Sequence, residues 1–452
     1  MTRVARVEPN TGVIIAIGLG LTAIAAFGIV VFAQAGSYET WLAIVVGPVL
    51  FAVSIPALAR QAAREDDRAL FWLLILALAA KLIGAILRSY VELGVYGGKA
   101  DSAAYYRSGI EIAERFRSGV FDTGLDTLIG TNFIEFATGI LYTVLGPSEL
   151  AGFMVYSWLS FWGLFMFYRA FRIALPEGRG RTYARLVFFL PSLLIWPSAI
   201  GKDAWMVFAL GLASYGVARL LSGMTWSGVA WAGIGMWLAA FVRPHIAGMA
   251  GLALVAGYLL RRPREELRQL APVAKVLGLA AFAVVAVVLV MKADQFLRGS
   301  GIETDTGLTT VLTQTAERTQ RGGSEFAPSL FTSPERAPIA VLTVLYRPLI
   351  SEIGSAQTAA AALETTFLLL LSIVRFGWIV SALRNLRRRP YLAYALVYCI
   401  LFIVAFSGIA NLGIVVRERV QLLPFFLVFL SFPPGVITGE ASTPDRPASV
   451  RA

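Results

Sequence analysis

Long apolar runs separated by short polar punctuation repeat along this chain, each near the roughly 20 residues that an α-helix needs to cross a bilayer. The pattern predicts spans over residues 12–34, 40–59, 70–92, 150–171, 184–200, 204–221, 226–242, 245–260, 271–291, 361–380, 391–409 and 420–437. Trp and Tyr stand near several of the ends, as interfacial anchors do. The expected fold class is all-α: a polytopic transmembrane helical bundle of about 12 spans. Two further apolar runs, 131–146 and 338–350, are read as interfacial or re-entrant helices packed on protein. Counting 131–146 as a span would invert every later charge cluster, and Arg347-Pro348 interrupts the second run.

The charges sort with the spans. Arg60/Arg64/Arg68, Arg172/Arg179/Arg181/Arg185, Arg261/Arg262/Arg264/Arg268 and Arg384/Arg387/Arg388/Arg389 all fall on one face, which the positive-inside rule makes cytoplasmic, together with both termini. The other face receives Asp101, Tyr105 and Tyr106, then Lys202-Asp203, Arg243-Pro-His245, the polar segment 294–336, Arg347, and Arg417-Glu-Arg419. This divides the chain into two N-terminal spans (1–69), a membrane core (70–292) with an outer loop at 97–149, an extracytoplasmic loop with an interfacial helix (293–360), and three final spans with a short polar tail (361–452). Within the outer loop, Ile110, Ile112, Ala113 and Phe116 alternate with Glu111, Glu114, Arg115 and Arg117, an amphipathic pattern suited to the membrane surface.

Composition agrees with a membrane protein and removes several other classes. Of 452 residues 57% are hydrophobic and 15% charged, and mean hydropathy is +0.71, too little polar cover for a soluble surface. The formal net charge of +11 reflects the orienting arginines, so nucleic acid is not an expected partner. The single cysteine, Cys399, leaves neither an intramolecular disulfide nor a cysteine-rich metal site. The first apolar run is long enough to be a retained helix rather than a signal peptide. One His, no carboxylate cluster and no phosphate loop mean that no cofactor is indicated; a divalent metal stays open without a ligand set to hold it.

The outer-face motifs carry the candidate chemistry. Asp101 and Tyr105 are four apart, so a helix places carboxylate and phenol on one face, where they could orient a hydroxyl and accept its proton; a helix N-cap is the plainer role for Asp101. Lys202-Asp203 sits in a turn between spans, with a salt bridge or cap as the alternative to substrate contact. Arg243 and His245 flank a proline-fixed turn, and arginine matches phosphate oxygens bidentately. Arg417 and Arg419 stand where positive charge does not normally accumulate, and ask for Glu418, other carboxylates or an anionic ligand. Lys81, Glu364 and Arg375 lie inside spans, where ionisable groups face one another or a polar cavity.

From 70 to 262 the chain resembles polytopic GT-C glycosyltransferases, the class that includes protein O-mannosyltransferases and aminoarabinose transferases. The resemblance lies in a span followed by Lys99-Ala-Asp101-Ser-Ala-Ala-Tyr105-Tyr106, then the apolar segment from Thr138 to Gly146, then a new span. It implies that Asp101 acts as base or orients the acceptor. It also implies a polyprenyl-(di)phosphate sugar donor and a glycan, lipid or protein acceptor, with the phosphate held by outer-face cations such as Lys202, Arg243, Arg417 and Arg419. Such an enzyme would sit in the cytoplasmic membrane with its active site extracytoplasmic. Two spans precede the aspartate span and no second acidic residue follows Asp101 directly, which leaves subfamily and acceptor open. O-antigen polymerases and ligases are also similar, with 292–360, Arg243, His245 and Arg347 in the corresponding places. A transporter or flippase for an anionic lipid or solute would use the same arginines without bond chemistry.

Overall fold

The computed structural model describes residues 38–95, 97–98, 100–223, 225–261, 308–320, 325–328, 330–331 and 333–435, with five single positions between 276 and 291. The expected span at 12–34, nearly all of that at 271–291, and 292–307 of the outer loop lie outside the described residues.

Among the described residues there are 17 α-helices and no strand, only an isolated bridge between Glu325 and Asn411. In chain order they are α1 (Tyr38–Arg64), α2 (Arg68–Tyr90, continued by a π-helical turn Val91–Val95), α3 (Asp101–Arg117), α4 (Thr131–Leu145), α5 (Glu149–Ala174), α6 (Gly180–Phe189), α7 (Pro191–Ile195), α8 (Lys202–Leu221) and α9 (Thr225–Val242). They continue as α10 (Pro244–Leu260), α11 (Leu308–Thr319), α12 (Ala337–Tyr346), α13 (Ala356–Val374), α14 (Phe376–Arg384), α15 (Pro390–Phe406), α16 (Leu412–Glu418) and α17 (Leu423–Phe429).

Five of these, α1, α2, α5, α8 and α13, are long and apolar enough to cross a membrane, and α9, α10 and α15 are shorter apolar helices. Their burial separates centre from rim. In α8 78% of the most apolar window is buried, against 28% in both α1 and α13, which therefore present Val49, Val53, Leu363 and Leu370 outward as lipid-facing helices do. The centre closes through small residues: a Cβ on Gly211 of α8 would collide with the Gly163 carbonyl of α5, and one on Gly216 would strike the backbone of Ala232 in α9. Such close backbone approach replaces the hydrophobic drive that lipid does not supply. Caps start the long elements, with Asp67 accepting from the Leu70 amide at 3.0 Å and Ser148 from the Ala151 amide at 3.2 Å.

Three expected spans take another form. Residues 184–200 are not one rod: Leu190 is extended ahead of Pro191, and Pro197 leaves helical geometry, so α6, α7 and a short 3-10 turn follow one another at changed angles. The buried Lys81 of α2 donates to the carbonyls of Leu193 (2.7 Å) and Leu194 (3.2 Å) beside that break. Residues 420–432 are buried throughout, and α17 is seven residues long. Phe425 there stacks on Tyr398 (3.9 Å) and meets Phe167 edge-on (5.2 Å), so the last apolar run fills the bundle centre instead of facing lipid. The run at 361–380 also breaks, at Arg375 between α13 and α14, where the guanidinium donates to the Leu430 carbonyl.

The outer loop folds into a helical pair. α3 and α4 pack with Gly109 against Thr138 and Gly139 against Ile112, while Glu111 and Glu114 point to solvent. At 15 residues α4 falls short of a span, and Phe133 fixes it to the core by stacking on Phe241 of α9 (4.8 Å).

Candidate functional site

An open cleft of about 760 Å³ lies where the N-terminal ends of α3, α8 and α13 converge, with Asp101, Asp203 and Gln357 among its walls and Arg417 of α16 facing them. These residues are far apart in sequence, and Arg417 joins the two aspartates. Its Nε donates to Asp203 Oδ2 at 2.6 Å and its Nη1 to Asp101 Oδ2 at 2.9 Å. Asp203, then Asp101, raise the Arg417 pKa against the burial that opposes them. The Asp101 side chain is 62% exposed and that of Asp203 7%, so the first is the partner a solute can reach.

A second layer anchors this bridge. Arg243, held at the N-cap of α10 by Pro244, makes a bidentate pair with Glu418, its Nη2 to Oε1 at 2.6 Å, and stands 3.7 Å from Asp203. Both partners are buried, and Gln421 adds a bond to Glu418 at 2.8 Å. Lys202 lies within electrostatic range of Asp101, Asp203, Arg243 and Arg417, and forms no ion pair among the described residues. Tyr105 is buried behind Asp101 beside Gly201, and that burial, then the nearby Asp101 carboxylate, pushes its phenol up to about 12. His245 follows Arg243 by two residues and feels its charge.

The structure thus brings together Asp101, Tyr105, Lys202, Asp203, Arg243 and Arg417. Of these Asp101, Asp203 and Arg417 line the cleft and the other three stand behind them, whereas Tyr106, Arg347 and Arg419 go elsewhere. Tyr106 points away, its hydroxyl bonded to Glu39 of α1 and its ring edge-on to Tyr142. Arg347 pairs with Glu352 (Nε to Oε1, 2.9 Å) and lies 4.0 Å over the Phe326 ring, at a second hollow of about 340 Å³. Arg419 is fully buried and donates to the carbonyls of Leu345 (3.0 Å) and Arg347, so it ties α12 to the bundle. Asp101 is no cap either: Ala100 holds the N-cap position of α3, and the carboxylate is spent on Arg417.

Sequence reasoning missed the other wall. Arg88 and Glu92, one turn apart on α2, form a buried pair at 2.7 Å. The Arg88 guanidinium lies 4.6 Å over the Trp196 ring, and Glu92 accepts from the Ser102 hydroxyl in the first turn of α3. The signals were the i,i+4 spacing of opposite charges inside an apolar run and the two prolines around Trp196, which unwind the chain there and deliver the indole to the cleft. Asn411 and Gln357 add amides.

The arrangement offers a reachable carboxylate, a cation held between two carboxylates, a nearby ammonium that forms no ion pair among the described residues, and an aromatic and amide wall. Comparison with protein-family models, with curated proteins and with solved structures returns no match.

Proposed function

We propose that this chain is a membrane glycosyltransferase that moves a sugar from a polyprenyl-(di)phosphate donor to a hydroxyl of a glycan, lipid or protein acceptor. One observation carries the proposal: Arg417 is suspended between the exposed Asp101 and the buried Asp203 inside an open cleft at the end of a bundle of apolar helices. A donor phosphate arriving there exchanges for Asp101 on Arg417, with Lys202 as its second cation. Asp101, released beside the sugar, then accepts the acceptor proton as the acceptor oxygen bonds to the anomeric carbon and the bond from that carbon to the phosphate oxygen breaks. Charge gathers on the departing phosphate, where Arg417 and Lys202 stabilise it; such preorganised electrostatics is the larger catalytic contribution.

We infer with it a GT-C-like bundle of about 12 crossings, several broken or buried, in the cytoplasmic membrane. The arginine-rich ends and both termini are cytoplasmic and the cleft opens on the other side.

The test is turnover of radiolabelled polyprenyl-linked sugars over a range of acceptors. Asp101→Asn is expected to lower turnover by roughly 10²- to 10⁴-fold, the usual worth of a general base. Unchanged turnover would remove Asp101 from the reaction. Labelled lipid changing leaflet with no product would replace the enzyme by a transporter of the same anionic lipid.

A further inference from the structure

We propose a second ligand site, for the phosphate of an anionic lipid headgroup, formed by Arg64, Arg169, Arg219 and Ser227 at the end of the bundle opposite the cleft. It is independent of the reaction proposed above. Asp203 and Arg219 lie on one helix sixteen residues apart, a rise of about 24 Å, so the two sites mark opposite ends.

The site is built on one ring. The Arg169 guanidinium of α5 lies 4.6 Å from the centroid of Tyr215, and that of Arg219 lies 5.4 Å from the same centroid. Arg219 Nη1 also donates to the Tyr215 hydroxyl at 2.9 Å. Two guanidinium groups are thereby held on one phenol, and Arg64, the last residue of α1, lies within electrostatic range of Arg169. Among the described residues no carboxylate forms an ion pair with any of the three. Their neighbours differ: Arg172 is held by Glu65 and Arg181 by Asp67, both at 2.7 Å. Like charges gathered without a counter-charge call for an anion from outside the chain.

Ser227 supplies the neutral half. Its Oγ accepts from Arg219 Nε (3.1 Å) and Nη2 (2.9 Å), which leaves its own O–H to donate to a phosphate oxygen. It stands in the first turn of α9, the helix end whose dipole favours an anion. Arg64 is exposed and Arg169 and Arg219 half-buried, so a headgroup can reach them. The phosphate source follows from the aromatic residues. Trp226 is 87% exposed and Trp231 39%, on the same helix, and outward-facing indoles settle at headgroup depth, where the phosphate present is that of a lipid.

Native mass spectrometry of the full chain in neutral detergent, titrated with phosphatidylglycerol, phosphatidylcholine and inorganic phosphate, tests the site. Wild type should retain phosphatidylglycerol over phosphatidylcholine, and Arg169→Gln/Arg219→Gln should lose roughly tenfold or more in that affinity. Arg172→Gln, which removes a guanidinium already paired with Glu65, should not. Arg169→Lys/Arg219→Lys should keep more affinity than the Gln pair; an equal loss in both would trace the effect to packing and overturn the proposal. Equal retention of both lipids, retention undiminished in the Gln pair, or displacement by inorganic phosphate at matching concentration would overturn it as well.

Discussion

The two ends of α8 hold arginines in opposite circumstances. At its N-terminal end Arg417 and Arg243 are each in contact with carboxylates, and Arg88 beyond them has Glu92. At its C-terminal end Arg169 and Arg219 share an aromatic ring, and Arg219 also donates to a serine, with no carboxylate paired to either among the described residues. Arg243 and Arg88 are buried, whereas Arg169 and Arg219 are half-buried. A guanidinium drawn into the bundle loses water and needs a fixed counter-charge, whereas one at the rim can use lipid phosphate. Under the proposed function this internal compensation would make the cleft selective: an incoming anion would have to exchange for a carboxylate, and the exposed one, Asp101, would be the one to yield.

The comparison breaks first at the buried pair. Glu418→Ala leaves Arg243 with only its longer contact to Asp203 and should cost up to about 3–5 kcal/mol in thermal unfolding, while Arg243→Leu/Glu418→Leu should recover most of that loss. If the double variant is as unstable as the single one, packing rather than charge explains this layer. Next, Gly211→Leu should lower stability by roughly 1–3 kcal/mol by forcing α5 from α8, shifting both ends together. An effect confined to one end would show that α8 does not join them rigidly. Third, Asp101→Asn, whose pair is solvent-exposed, should change stability by no more than about 1 kcal/mol even where turnover collapses. The smallest effect belongs to the other end. Arg64→Gln in neutral detergent should leave unfolding unchanged or raise stability by a few tenths of a kcal/mol, since it removes a like charge. A clear loss there would reveal an internal partner for Arg64.

Much of this was legible in the sequence because bilayer thickness confines a polar motif to one layer once the spans are counted. Asp101 and Arg417 are 316 positions apart, yet span parity alone put them on one face. The helices α1, α2, α5, α8 and α13 follow from run length. Apolar composition, however, does not distinguish a lipid-facing rod from a segment buried in protein, so nothing in the expected span 420–437 marked 420–432 as buried throughout. Residues 184–200 read as one span; Pro191 and Pro197 break it, and the consequence, Trp196 facing Arg88, depends on the path of the freed chain. Arg417 and Arg419 were indistinguishable by position. Between them the chain passes from α16 into a 3-10 turn, which sends one guanidinium to the cleft and the other to the carbonyls of Leu345 and Arg347.

Binding and turnover measured side by side on Asp101→Asn test the exchange at Arg417 most directly. If Asp101 competes with donor phosphate for that guanidinium, the purified variant should bind polyprenyl phosphate more tightly than wild type, by up to roughly tenfold, while its transfer rate falls. Weaker or unchanged binding of polyprenyl phosphate would contradict the account, because Arg417 would then not be the place where the anion is held.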